Sequence, residues 1–348
     1  MIDRRLLVLG GLAGLALPAS GSAQPGGPPR PGGNQGGAPA GAGGNPGGGQ
    51  PGNAGGTLGT RLGNQRTQPR DASRGQDTAQ PRAQPPRISA MILSQSYRSS
   101  PGLTLANTGS DAALMARTFQ QLRFDSVTVQ SDGGAPETMA RIATYLGTID
   151  TNTIALLYMA GHGVEIGGEN LLLLDGASSF LSLQTLVQLL QQRAGVTVLF
   201  LDACRNNPFG NVAAAISGRS LTRTMLSQDG NDIRIQTVGM DELRGAPRET
   251  LGRLRAFSLQ GSQIKIVFST DPANVAFDGA RPGSRHSPFA EALARHLRQP
   301  ISLDDIVALT TGDVVRATRR MQSPWSQGSI DRPIYLSWRR RRLQASYG

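Results

Sequence analysis

The sequence predicts an α/β fold with a mostly parallel sheet covered by helices on both faces. Two apolar runs, 153–160 and 196–204, have the length and β-branched content of strands buried on both sides. Helical patterns with one apolar face alternate with such runs along the chain. From position 88 onward roughly 250 residues remain, enough for one domain with a substantial core.

Each element has its own signal. Residues 88–93 read as the first strand. Ser110 is expected to cap a helix carrying Met115, Phe119 and Leu122 on one face. Residues 126–130 alternate as a short strand, and Pro136 opens a helix with Met139, Ile142, Ala143 and Leu146 on its inner stripe. The 153–160 run delivers Gly161-His162-Gly163. Stretches 164–166 and 170–174 flank Gly167-Gly168 as a hairpin. Residues 182–193 form a helix with Leu183, Leu186, Val187 and Leu190 inward. The 196–204 run ends at Cys204. A polar stretch, 210–261, reads as a long loop or insertion. Strand 264–269 follows, then a helix capped by Ser287 with Pro288 in its first turn. Ser302 and Asp305 start another helix, and 334–337 is expected to close the domain as the final strand.

The ends of the chain read differently. Residues 1–23 resemble an export signal: Arg4 and Arg5, the apolar stretch 6–17, then small residues around Ala23. The arginine pair also admits the twin-arginine route. Residues 24–87 are Gly, Pro, Gln, Asn and Arg with scarcely an apolar side chain, a composition expected to be a disordered linker. The net charge of +11 is almost wholly arginine, scattered except for the run 339–342 in the tail 339–348. That run admits weak contact with an anionic surface; a solvated tail is the plainer reading. No basic module interleaved with aromatics argues for nucleic acid. The expected location is periplasmic or secreted, yet the single cysteine allows no internal disulfide.

In an open α/β sheet, reactive groups gather beyond the carboxyl ends of the strands. His162 and Cys204 stand at two such ends, although 42 positions apart in sequence. A thiol of ordinary pKa is mostly protonated at neutrality and needs a base beside it. His162 can be that base and later protonate a leaving amine. The N–H groups of Gly163 and Cys204 could face a developing oxyanion. Taken singly, Cys204 reads as a small buried hydrophobe and His162 as a hydrogen-bonded loop residue. Together at two strand ends, the catalytic reading is the stronger.

The stretches 157–175, Leu-Tyr-Met-Ala-Gly-His-Gly-Val-Glu-Ile-Gly-Gly-Glu-Asn-Leu-Leu-Leu-Leu-Asp, and 201–209, Leu-Asp-Ala-Cys-Arg-Asn-Asn-Pro-Phe, resemble the two catalytic motifs of bacterial caspase-like peptidases, relatives of metacaspases and caspases. Stretches 105–112, 269–272 and 287–293 support the resemblance, which covers 88–338. It implies a caspase-like three-layer sandwich with a central sheet of about six strands, a His162–Cys204 dyad and an oxyanion site at Gly163 and Cys204. It also implies that Asp202 and Asp111 line the pocket for the residue before the cut. Two carboxylates there would favour arginine, then lysine. Asn107, uncharged, falls near a position where caspases carry an aspartate-binding arginine. Ala160 stands where many relatives have serine, and Ser94-Gln95-Ser96 where relatives show Gly-Asn.

The plainer readings are helix N-terminal charge for Asp111 and a satisfied structural acid for Asp202. Arg219, Arg223, Arg234, Arg244, Arg248, Arg253 and Arg255 make self-cleavage in 210–261 an option. His296 is expected to face solvent, and His286 to line the cleft without pairing with the thiol. Asp304 and Asp305 suit a helix N-terminus. No metal site is expected and no cofactor is required. Calcium activation occurs among metacaspase relatives, but no EF-hand spacing establishes it here. The expected function is a cysteine endopeptidase acting on peptides or proteins after a basic residue. The rivals are a catalytically silent scaffold at the cell envelope and another thiol hydrolase or transpeptidase.

Overall fold

The computed structural model describes residues 84–174, 178–204, 219–241, 251–252, 254–261, 263–271 and 276–337. The chain divides into units 1–76 and 77–348, and every described residue belongs to the second. The expected export signal, nearly all of the linker and the basic tail lie outside the described residues, as does the side chain of Cys204.

In chain order the elements are β1 (Arg87–Ser94), α1 (Thr108–Gln121), β2 (Ser126–Ser131), α2 (Ala135–Gly147), β3 (Thr153–Ile166), β4 (Glu169–Leu173), β5 (Ser179–Ser182) and α3 (Leu183–Arg193). There follow β6 (Val196–Cys204), β7 (Thr222–Asp229), β8 (Asp232–Gly239), β9 (Leu251–Gly252), β10 (Ile264–Phe268), α4 (Pro288–Leu297), α5 (Leu303–Ala317) and β11 (Trp325–Gln327). The central sheet has the order β2-β1-β3-β6-β10-β11, parallel throughout except for antiparallel β11. Beyond His162, β3 runs on into an outer extension, where it pairs antiparallel with β4 and β9. β5, β7 and β8 continue that extension.

Alternation along the strands fills two cores. Ile154, Leu156 and Tyr158 of β3, with Val196, Val198 and Phe200 of β6, pack against α1, α4 and α5 through Met115, Phe119, Phe289, Leu293 and Ile306. Ala155, Leu157 and Met159, with Leu199 and Leu201, pack against α2 and α3 through Ile142, Leu146, Leu186 and Leu190. Both faces are therefore dry, which is why these runs read as continuous apolar sequence rather than alternating. A buried leucine of this kind contributes about 1.5–3 kcal/mol relative to exposure.

Local signals place the helix starts. Ser182, Ser287 and Ser302 each accept a hydrogen bond from the N–H three residues on. The Gly167-Gly168 turn has φ of +60° and +89°, conformations that glycine adopts freely.

Three sequence expectations are corrected. α1 begins at Thr108 with Asn107 as cap, and the Ser110 hydroxyl instead donates to the carbonyls of Asn107 and Arg285. Part of 210–261 is not loop: β7 and β8 form a hairpin turning at Gly230, whose φ is +59°. No strand forms at 334–337, where Ile334 and Leu336 are buried while the Ile334 carbonyl accepts from Leu303 N–H at 2.8 Å. The antiparallel edge is β11 instead. The expected six strands match the central sheet, and the extension adds β4, β5, β7, β8 and β9.

Candidate active site

The β3–β6 ladder runs from Ile154 opposite Val196 to His162 opposite Cys204. Its last rung thus joins the two positions singled out by their chemistry. The inner face of β6 that carries Val198 and Phe200 continues to Asp202, where the apolar packing stops and a carboxylate takes over.

His162 is 4% exposed and held from three sides. Its Nε2 lies 2.7 Å from the Leu103 carbonyl, and because a carbonyl only accepts, Nε2 carries the proton. The neutral tautomer then leaves a lone pair on Nδ1, a buried atom without a hydrogen-bond partner among the described residues. The ring stacks on Tyr97 at 4.7 Å, and the His162 N–H donates to the Tyr97 hydroxyl at 2.9 Å. That hydroxyl donates in turn to the Leu173 carbonyl at 2.7 Å. Tyr97 has φ +53°, a left-handed conformation uncommon for a bulky residue. Burial lowers the His162 pKa from 6.5; the hydrogen bond to Leu103 and the charge of Asp278 act upward.

The flanking glycines stand where neighbouring side chains press close. A Cβ on Gly161 would lie 2.8 Å from the Tyr97 hydroxyl oxygen, and one on Gly163 would lie 2.6 Å from Leu254 Cδ1 and 3.1 Å from Ala203 Cβ. Leu254 belongs to a strap lying along the outer part of β3. β9 pairs with Glu165 and Ile166, the Asn170 side chain binds both N–H and carbonyl of Arg255, and Arg255 pairs with Glu165 at 3.2 Å.

The two predicted pocket acids come together around Ser287. Asp202 Oδ2 accepts from the Tyr158 hydroxyl at 2.8 Å and the Ser287 hydroxyl at 2.5 Å. Asp111 Oδ1 accepts from the Ser287 N–H at 3.1 Å and lies 3.0 Å from His286 Nδ1. Both acids are buried, at 1% exposure for Asp111 and 6% for Asp202. Burial raises both pKa values. The charge of Asp202 pushes Asp111 further up, while hydrogen bonds from Ser287 and Tyr158 restrain Asp202. The charge on Asp202 thus makes ionisation of Asp111 harder. Burial also lowers the His286 pKa, and its Nδ1 stays within hydrogen-bond distance of Asp111.

His286 thus pairs with an acid and not with the thiol position. His296 is corrected: it is 7% exposed, because Asp313 of α5 meets its Nε2 at 2.7 Å across the α4–α5 contact. Asn107 donates its backbone N–H to the Asp278 carboxylate and its side-chain amide to the Asp278 backbone carbonyl. Tyr97, Leu103, Tyr158, Ser287 and Asp278 were missed in sequence. They sit in loops or in otherwise apolar runs, and only the tyrosine within the 153–160 run hinted at a buried polar partner. Among the described residues no three His, Cys, Asp or Glu side chains stand close enough to hold a metal ion.

Fold and rim together define a three-layer α/β sandwich with imidazole and thiol positions paired at the end of the central ladder. The model of the caspase domain, peptidase family C14, matches residues 87–335, and the chain belongs to that family, whose members are cysteine peptidases. Among solved structures, caspase-1 from Spodoptera frugiperda aligns at 17% identity with a TM-score of 0.46, over 73% of this chain and 90% of that one. No curated protein matches the chain.

Proposed function

We propose that the protein is an endopeptidase that cuts after arginine, and after lysine next, through a His162–Cys204 dyad. The observation that carries the reading is the buried Nδ1 of His162, without a hydrogen-bond partner among the described residues, on the ladder rung shared with Cys204. Nδ1 takes the thiol proton and the thiolate adds to the scissile carbonyl. The N–H groups of Gly163 and Cys204 serve as oxyanion donors. The imidazolium then gives its proton to the departing amine, leaving a thioester. Water, deprotonated by the same nitrogen, releases the acid and restores the thiol. The scheme draws on no cofactor. Asp202, with Asp111 behind Ser287, receives the basic side chain.

Export by residues 1–23 and self-processing belong to the same proposal. Arg223 and Arg234 sit in hairpin strands paired with Glu169 and Asp229, poorly presented for cutting. Arg219 and Arg255 are exposed outside any strand and are the better candidates among the described arginines; Arg244, Arg248 and Arg253 lie outside them.

The test is a panel of fluorogenic peptides ending in Arg, Lys, citrulline or Asp, with the full chain and its Cys204→Ala variant. Arginyl cleavage lost in the variant is the expected result; equal cleavage by both, or preference for Asp, sinks the proposal. A second reading, a silent scaffold, draws on the burial of His162 and both acids and on Leu254 packed over Gly163. Failure of an arginyl acyloxymethyl ketone to label Cys204 under any condition would favour it.

A further inference from the structure

Where α1 meets α4, the helical layer is indented by two adjoining cavities of about 400 and 350 Å³ that share Ser284, Arg285 and His286. One wall of this groove is the face of α1 that carries Leu114 and Arg117. The other is the face of α4 that carries Glu291 and Arg295, with Arg298 at its C-cap. The segment between them is latched to α1 on both sides of His286. The Ser110 hydroxyl donates to the Arg285 carbonyl, and the Ser287 N–H donates to Asp111 at 3.1 Å. Upstream, Ser284 N–H donates to the Arg281 carbonyl and Arg281 N–H to the Ser284 hydroxyl, both at 3.0 Å. Arg285 and His286 therefore enter the groove from a backbone fixed at each end.

Four guanidinium groups line the groove against one carboxylate, and they are not equally engaged. Arg295 is committed to Glu291 at 3.3 Å and to Asp313 at 2.8 Å. Arg298 bonds only neutral groups, Gln121 Oε1 and Thr118 Oγ1, both at 3.1 Å. Arg117 and Arg285 make no side-chain hydrogen bond or ion pair among the described residues. The charges of both bear on His286, with Glu291 acting the other way, while His286 Nδ1 faces Asp111 at 3.0 Å. Three cations without a carboxylate, from α1, the 284–287 segment and the end of α4, thus converge on one concavity. Like charges so placed repel, and an anion bound among them relieves the repulsion. A carboxylate has two oxygens, enough for one guanidinium fork. A phosphoryl group has three, and it can meet forks arriving from three elements together.

We propose that the groove between α1 and α4 is a binding site for a phosphoryl group, held by Arg117, Arg285 and Arg298. The inference stands apart from the endopeptidase reading, because it rests on other side chains and its readout is binding.

The test is calorimetry of inorganic pyrophosphate on the full chain at fixed ionic strength. It is repeated on Arg117→Gln, on Arg285→Gln and, as a control, on Arg332→Gln, an exposed arginine outside the groove lining. The expected result is one site per chain, weakened about ten-fold or more by either groove substitution and unchanged by the control. Absence of binding overturns the site. So does an equal loss in all three variants, which is the general attraction of a chain of net charge +11. Binding that both groove substitutions leave intact puts the anion elsewhere, as on the run 339–342, and overturns it too. A nucleoside diphosphate and glycerol phosphate, run beside pyrophosphate, tell a soluble nucleotide from a lipid headgroup as the source of the phosphoryl group. Tighter binding of either, lost in the groove variants, supports the site and names that source.

Discussion

The Tyr97 hydroxyl receives the backbone N–H of His162 at 2.9 Å while its ring stacks on the imidazole at 4.7 Å. One side chain thus fixes both the height and the tilt of the proposed base.

Tyr97→Phe keeps the stack but leaves a buried N–H unpaired, at a cost of about 1–3 kcal/mol. The expected outcome is a fall in kcat of about ten-fold with KM little changed, because geometry at the base is lost while the pocket is not. Steady-state kinetics on an arginyl peptide checks the split. A change confined to KM would contradict it.

Burial holds His162 below its ordinary 6.5, against the upward pull of Leu103 and Asp278. The neutral base should then predominate at neutrality, and the acid limb of kcat should lie below 6.5. A pH profile of kcat tests this; a limb at or above the ordinary value would oppose it.

Burial, then the charge of Asp202, raises Asp111 above its ordinary 3.8. A carboxyl that keeps its proton longer when folded stabilises the fold below its unfolded pKa, and that stabilisation fades as pH rises through the folded value. Stability should therefore decline from about pH 5 to about pH 8, and Asp111→Asn should flatten the slope. Urea midpoints at both pH values report it; parallel slopes would refute it.

The two glycines beside His162 should differ. Gly161→Ala drives a methyl onto the Tyr97 hydroxyl, which is committed to two hydrogen bonds. Gly163→Ala meets the Leu254 side chain, which can rotate, and the Ala203 Cβ only at 3.1 Å. Overpacking costs typically about 1–3 kcal/mol, so Gly161→Ala should lower Tm by several degrees, with Gly163→Ala nearer wild type. Thermal melts in both variants decide the order.

Much of this was legible in the chain, and the exceptions share a cause. β3 and β6 announced themselves because both faces are dry, and His162, Cys204, Asp202 and Asp111 followed from strand ends and resemblance. β7 and β8 were hidden because most of their side chains face water, although Asp229-Gly230 marked their turn. Residues 334–337 have strand composition, yet they cover α1, α4 and α5 without a ladder partner. His296 looked exposed among charges because its partner, Asp313, comes from another helix. Asp278 carries no local signal at all, since its meaning lies in contacts 171 and 172 positions away. Periodicity records which face is wet, but it cannot record which distant loop supplies a polar partner.

With His162 and Cys204 on the terminal rung, the order of folding matters. Parallel strands separated by a helix zip slowly, because long loops must close before any contact rewards them. If zipping proceeds from Val196 outward, the proposed His162–Cys204 dyad is the last thing the nascent domain completes. On the proposed peptidase reading, a half-folded chain would then be unarmed, harmless to itself and to its siblings during the interval when its own arginines are most open to attack.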